Sequence, residues 1–179
     1  MKTIIITPAT TEPVTLSEAK AQLRIDDAFT VDDSYINALI SAARDRVESY
    51  CNQYFSDVGV QVLYDGQYPS VLDLPYPNMT VTSIEYTDAD KLLTPINPTD
   101  YTVDALNQKV YFDEVNQSIN YRVEATMAAP AAINGVQQGI LMIVTDLYEL
   151  RTETAVGVSL ADNPAVKALL YPYRLELGI

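Results

Sequence analysis

Hydrophobic residues recur at helical spacing toward both ends of this chain and at strand spacing between them. From Ile133 to Arg151 the apolar positions Ile133, Val136, Ile140, Ile143, Val144 and Leu147 fall on one face, with Leu150 close beside them. That is the signature of a helix packed on a core. Pro130 precedes it, where a missing N–H costs nothing, and Arg151 suits the negative end of the helix dipole. Leu141 and Met142 widen the stripe and predict cover on more than one side. The same spacing links Ile36, Leu39, Ile40, Ala43, Val47, Tyr50, Cys51 and Tyr54 in a second long helix. Asn52 is its candidate stop, because asparagine tolerates the left-handed conformation of a C-terminal cap. Thr15-Leu16-Ser17-Glu18 has the S/T-x-x-E form of a capping box and opens a short helix. Pro164 opens another, which Pro172 ends. The predicted helices cover about 16–24, 33–54, 131–151 and 164–170.

Between 58 and 126 the period changes to two. Gly59 to Tyr64, Thr80 to Tyr86, Asp100 to Asp104, Lys109 to Phe112 and Ile119 to Glu124 alternate apolar and polar residues. Asp65-Gly66 and Pro75-Tyr76-Pro77-Asn78 break the runs. Half-polar alternation predicts antiparallel strands with one solvated face. The first fourteen residues, with Pro8 and Pro13, read as an extended arm or an edge strand. The fold class expected is therefore α+β: a small helical bundle with an antiparallel β-rich insertion between the second and third main helices. An arm (1–14), a main domain (15–179) and a C-terminal tail (171–179) complete the predicted organisation. That tail is apolar for a terminus, so it has to pack on its own domain or on a partner.

At 179 residues with 48% hydrophobic content, the chain suits one domain, or one with an elaborated insertion, and can bury a core without staples. Its single cysteine, Cys51, excludes an internal disulfide and fits a reducing compartment. The opening MKTIIITPAT lacks the pattern of a secretory signal, so a protein made and used without export is expected. No run is long and apolar enough for a membrane span. With 24 acidic residues against 11 basic, the net charge of −13 disfavours direct nucleic-acid binding. The same charge suits a solubilising surface, as in most acidic proteins, or a wall past which DNA slides without sticking, and composition does not choose between the two.

The absence of histidine removes Ser-His-Asp and Cys-His catalysis and His-ligated zinc. Cys51 has no adjacent base and reads as a small buried hydrophobe. Asp26, Asp27, Asp32 and Asp33 could gather around a metal, but aspartate so favours caps and turns that two helix ends with a solvated loop are the expected arrangement. Asp88-Ala89-Asp90 opens like a calcium loop, yet Leu93 stands where glycine is required and Thr99 where glutamate is. No catalytic residue, metal ligand or cofactor is expected.

Several segments, taken in order, resemble one family. They are Leu16-Ser17-Glu18-Ala19-Lys20 through Asp26, Ile36 to Arg44, Leu74-Pro75-Tyr76-Pro77, Val81 to Asp90 and Asp100 to Asp104. Ala129-Pro130-Ala131-Ala132-Ile133, Leu147-Tyr148-Glu149-Leu150-Arg151 and Leu169-Leu170-Tyr171-Pro172-Tyr173-Arg174 complete the series. The chain is similar in this respect to the head-to-tail connector (adaptor, head-completion) proteins of long-tailed bacteriophages and prophages. It departs from them after the second helix, where Tyr50-Cys51-Asn52-Gln53 replaces the usual Tyr-Thr-Gly-Arg, and at Lys91, where a glycine is common. The resemblance implies a structural virion protein of the neck, assembled in the host bacterial cytoplasm. It implies a ring of about a dozen copies that joins the portal of the DNA-filled head to the tail and a tail-side neck protein. DNA would pass through without specific binding. Portal contact is implied for Leu170, Tyr171, Tyr173, Arg174, Leu175 and Leu177. Another neck or tail-completion protein is the neighbouring reading, and a carboxylate-metal enzyme the distant one.

Overall fold

In the computed structural model the capping box forms in both directions. Glu18 N–H donates to Thr15 Oγ1 at 3.2 Å, and Thr15 N–H donates to the Glu18 carboxylate at 2.7 Å. These bonds satisfy two N–H groups that a helix start leaves without partners. The structure describes residues 1–65, 70–87, 92–113, 120–130, 133–150 and 163–175. Four α-helices and eight strands occur among them, in two compact units.

The helical unit comprises Thr11–Phe55 and Pro130–Ile179. Its helices are α1 (Leu16–Leu23), α2 (Asp33–Cys51), α3 (Asn134–Leu150) and α4 (Pro164–Leu170), with a 3-10 turn at Tyr171–Tyr173. α1 stops where Arg24 takes φ 60°; α2 ends at Cys51, three residues short of the apolar stripe's end at 54, because Asn52, the candidate stop, takes φ 55°. Asn163 caps α4, its side-chain oxygen accepting from Ala165 N–H at 3.1 Å, one residue ahead of the expected proline at the first helical position. The core joins Ile36, Ile40, Ala43 and Val47 of α2 to Val136, Ile140, Ile143 and Val144 of α3. Val14, Ala19, Phe55, Val166 and Leu170 close it. Leu39, Ile133 and Leu147, also expected inside, are half-buried against this cluster.

The β unit comprises Met1–Thr10 and Ser56–Ala129. Its strands are β1 (Lys2–Thr7), β2 (Val58–Asp65), β3 (Val71–Asp73), β4 (Met79–Thr87), β5 (Leu93–Pro95), β6 (Tyr101–Asp104), β7 (Lys109–Phe112) and β8 (Asn120–Met127). They form a five-stranded sheet in the order β1-β2-β8-β4-β5 and a three-stranded sheet in the order β3-β7-β6, with every neighbour antiparallel. Of the two readings of the first residues, the structure takes the edge strand for Lys2–Thr7. The pairing slips between Ile5 and Thr7, where a Cβ on Gly59 would lie 2.8 Å from the Thr7 side chain. Only glycine lets the edge approach so closely there. On β8, Tyr121, Val123, Ala125 and Met127 are buried, and opposite them stand Tyr64, Val62, Val60 and Val58 of β2. Leu72 and Val110 bring the smaller sheet into this core, and the Phe112 and Tyr121 rings meet at 5.4 Å. The Tyr64 hydroxyl donates to the Asp73 carbonyl at 2.5 Å, and burial pushes its ionisation far above the ordinary tyrosine range.

Candidate functional site

The chemistry-bearing residues are taken up by structure. Among the four aspartates at the junction of α1 and α2, Asp26 accepts from Ala28 N–H at 2.8 Å and Asp27 from the Ser17 hydroxyl at 3.2 Å. Asp32, at the N-cap of α2, makes no side-chain cap bond and instead accepts from the Tyr148 hydroxyl at 2.6 Å. Asp33 pairs with Lys20 at 2.5 Å. Among the described residues no three His, Cys, Asp or Glu side chains converge as a metal site would need. The segment Asp88-Ala89-Asp90 lies outside the described residues. Cys51 is fully buried, and burial raises its thiol pKa to about 11. The thiol lies 3.9 Å from the Leu170 carbonyl.

Lys20 is the polar residue that the sequence pattern did not single out. It is only 3% exposed, and its ammonium group donates to the carbonyls of Phe29 at 2.8 Å and Asp27 at 3.2 Å while pairing with Asp33. A buried ammonium that donates to two loop carbonyls and pairs with a carboxylate pins the loop from beneath. Backbone bonds from Phe29 N to Asp26 O and from Asp33 N to Thr30 O fix it further. The loop therefore holds Phe29, 45% exposed, and Val31, 77% exposed, outward as a firm apolar knob flanked by Asp26, Asp27 and Asp32.

A cleft on the same unit is lined by Arg46, Val47 and Tyr50 of α2, Ile143 and Asp146 of α3, and Asn163, Val166, Lys167 and Leu170 at α4. Its apolar lining residues belong to the core, and its charged lining residues among those described are Arg46, Lys167 and Asp146. Arg174 adds a third cation close by, its guanidinium 5.7 Å from the centre of the Tyr50 ring.

The residues implied for portal contact are placed unevenly. Leu170 is a core residue, 2% exposed, because Val166 and Leu170 share the inner face of α4. A Cβ on Gly139 of α3 would meet the Leu170 side chain at 3.0 Å, so its place is tightly filled. Tyr173 is half-buried: its hydroxyl accepts from Gly135 N–H at 3.3 Å and its ring meets Phe55 edge-on. Gln53 donates to the Tyr173 carbonyl, Leu175 N–H donates to the Cys51 carbonyl at 2.8 Å, and Asn52 donates to the Leu175 carbonyl at 3.1 Å. Through Leu175 the tail thus packs on its own unit, bound to the carbonyl and side chains that the end of α2 leaves available. Tyr171, 65% exposed, and Arg174 face outward, and Leu177 lies outside the described residues. On the β unit a further apolar surface is the edge strand β1, where Ile4, Ile5 and Ile6 are 37–49% exposed. No described helix is long and apolar enough to cross a membrane.

No curated protein sequence matches the chain. Among solved structures, a chain of the virion of a native gene transfer agent (GTA) particle superposes with a TM-score of 0.75 at 17% identity, over 100% of this chain and 98% of that one. A chain of the neck of an empty GTA particle computed with C6 symmetry gives 0.72 at 18%, with the same coverage. A chain of the neck of a native GTA particle computed with C12 symmetry gives 0.66 at 18%, again with the same coverage. Over residues 13–78 the chain matches the family described as phage gp6-like head-tail connector protein, and over its whole length it shares the fold of those particle chains.

Proposed function

We propose that this chain is a structural, non-enzymatic subunit of the neck of a phage-like particle. Copies assemble into a ring that joins the portal of the DNA-filled head to the tail and leaves a passage for DNA. The observation that carries the reading is the full-length likeness to chains from neck structures computed with C6 and C12 symmetry, alongside the connector-family match over residues 13–78. The arrangement of side chains supports it: polar groups are used inward for structure, while apolar ones stand exposed at defined places, as in a protein that acts by contact. The net charge of −13 fits a passage that repels phosphates. Assembly would take place in the cytoplasm of the host bacterium, before the ring reaches the virion neck.

Portal contact belongs to the exposed residues of the tail, Tyr171 and Arg174, with Leu177 beyond the described part. A truncation after Leu169 would take away a core residue, so it cannot serve as a clean test. The Tyr171→Ala/Arg174→Glu double variant leaves Leu170, Tyr173 and Leu175 in place. It should keep the wild-type melting transition and lose co-sedimentation with purified portal rings. Undiminished portal binding would remove the tail from the interface. Electron micrographs of the purified chain, alone and with portal, test the ring itself, and co-purification with tail tube rather than portal would favour a tail-completion role.

A further inference from the structure

We infer that Asn134-Gly135 is a site of spontaneous deamidation that the docked C-terminal tail holds closed. It is the single Asn-Gly pair of the chain. Glycine has no Cβ, so nothing on its own residue shields the peptide nitrogen from the preceding carboxamide. In the reaction the Gly135 nitrogen gives its proton to solvent and bonds to Asn134 Cγ. The Cγ–Nδ2 bond breaks, ammonia leaves and a five-membered succinimide remains. Water then opens the ring at one carbonyl or the other, giving aspartate or isoaspartate, so one water enters and one ammonia departs. A new carboxylate in the first turn of α3 suits the helix dipole, but isoaspartate carries an extra methylene in the main chain and shifts Gly135 from its place.

Asn134 is the first residue of α3 and is exposed, so water reaches the carboxamide. The Gly135 N–H falls in the first turn, whose N–H groups have no partner within the helix. The tail engages it instead: the Tyr173 hydroxyl accepts from Gly135 N–H at 3.3 Å. A Cβ on Gly135 would lie 2.7 Å from Tyr173 Cε2 and 2.8 Å from its hydroxyl oxygen, so the ring lies directly over this residue. The close approach requires glycine at 135, and glycine is what makes Asn134 labile. Tyr173 is held there by its edge-on contact with Phe55 and by Gln53, which donates to its carbonyl. The Leu175 N–H bond to the Cys51 carbonyl at 2.8 Å anchors the tail just beyond it. The nitrogen is free to react only when the tail lifts and the first turn of α3 frays, a local opening that does not require the unit to unfold. The inference rests on this docking and not on the neck reading, so each can fail without the other.

Peptide mapping of the full-length chain after incubation in mildly alkaline buffer tests the site. Trypsin releases residues 123–151, in which Asn134 is the only asparagine. Fragmentation of that peptide assigns the mass gain to its position and separates aspartate from isoaspartate. The folded wild type should deamidate far more slowly than the same chain in guanidinium chloride. Tyr173→Phe keeps the ring and removes the acceptor oxygen. It should raise the rate about two- to tenfold, the change in open population that the loss of one hydrogen bond brings. Ile36→Val truncates a fully buried residue at the other end of α2 from Cys51 at comparable cost to the fold, and should leave the rate near that of the wild type. A folded wild type that reacts as fast as the unfolded chain, or a Tyr173→Phe variant no faster than wild type, would overturn the proposal. Equal acceleration in Ile36→Val would overturn it too, because opening of the whole unit would then set the rate.

Discussion

The clearest single test of the helical unit is Lys20→Met. Methionine keeps most of the apolar stem and deletes only the ammonium group, so the substitution isolates what that charge does. Three contacts disappear: the 2.5 Å pair with Asp33 and the bonds to the carbonyls of Phe29 and Asp27 at 2.8 and 3.2 Å. Removing one member of a buried ion pair ordinarily costs ~3–5 kcal/mol, because the other is left uncompensated. Asp33 keeps 29% of its side-chain surface and can rehydrate in part, so about 2–3 kcal/mol is the expected loss. For a chain of this size that lowers the melting temperature by roughly 5–10 °C. Urea unfolding followed by far-ultraviolet circular dichroism at neutral pH should show an earlier midpoint with an unchanged slope. Adding Asp33→Asn should cost much less in the Lys20→Met background than in the wild type, since the partner is already gone. A loss below about 0.5 kcal/mol, the level of an ordinary surface substitution, would refute the reasoning. So would strict additivity of the two changes.

Three further substitutions examine other parts of the unit. Ile140→Ala, at a fully buried site, should cost ~2–5 kcal/mol, whereas Leu147→Ala, half-buried at the margin of the same cluster, should cost less than about 2 kcal/mol; equal losses in denaturant titrations would contradict the burial. Tyr173→Phe keeps the ring against Phe55 but takes the acceptor from Gly135 N–H, so a drop of about 0.5–1.5 kcal/mol is expected, and a stability unchanged within error would mean that the tail is not docked through that oxygen. Glu18→Gln probes the capping box by pH: the bonds from Thr15 hold the Glu18 carboxyl below its ordinary value, so its ionised form stabilises the fold above pH ~4.3 and that contribution is lost as pH falls through the lowered folded value. Wild type and variant should therefore differ at pH 7 and converge in strong acid, and a gap that widens on acidification would reverse the sign.

What was legible in the sequence is what is local. The capping box needs four residues and a rule, and it formed as read. The stripes of α2 and α3 each repeat within one helix, and Ile36, Ile40, Val47, Val136, Ile140, Ile143 and Val144 are buried together. The alternating runs appear as strands of an α+β fold. What was not legible depends on distant partners. β5 is three residues ending in Pro95, too short to show a period, and is a strand because it pairs with Glu85–Thr87 of β4. The division of the strands into two sheets turns on which strands pair, and alternation carries no information on that. Lys20 read as one polar position in a short helix, and only the return of the chain through Phe29 and Asp33 closes a shell of oxygens around it. The tail was the least readable of all. Its apolar residues required cover by its own domain or by a partner without saying which, and Leu170, Tyr173 and Leu175 find it on the helical unit itself, through contacts with Gly139, Gly135 and Cys51.

That docking narrows how such a chain can act on others. Residues engaged in holding the fold cannot also carry an interface without unfolding part of it, so contact must fall to what remains outside. Among the described residues these include Phe29, Val31, Tyr35, Tyr171 and Arg174 on the helical unit, and the isoleucines of β1 with Leu92, Leu106 and Tyr111 on the β unit. The bulge after Ile5 disturbs the β1 edge, as protected sheet edges commonly are. The loop knob has the opposite character: it is braced from below by a buried cation and displayed from above. A side chain as apolar as Phe29, left 45% exposed in a loop that is otherwise so firmly held, is costly for an isolated chain in water. It becomes favourable once a neighbour covers it. The excess of carboxylates across the surface repels unspecific approach of like-charged copies, so such cover has to come from a partner that offers more than general attraction.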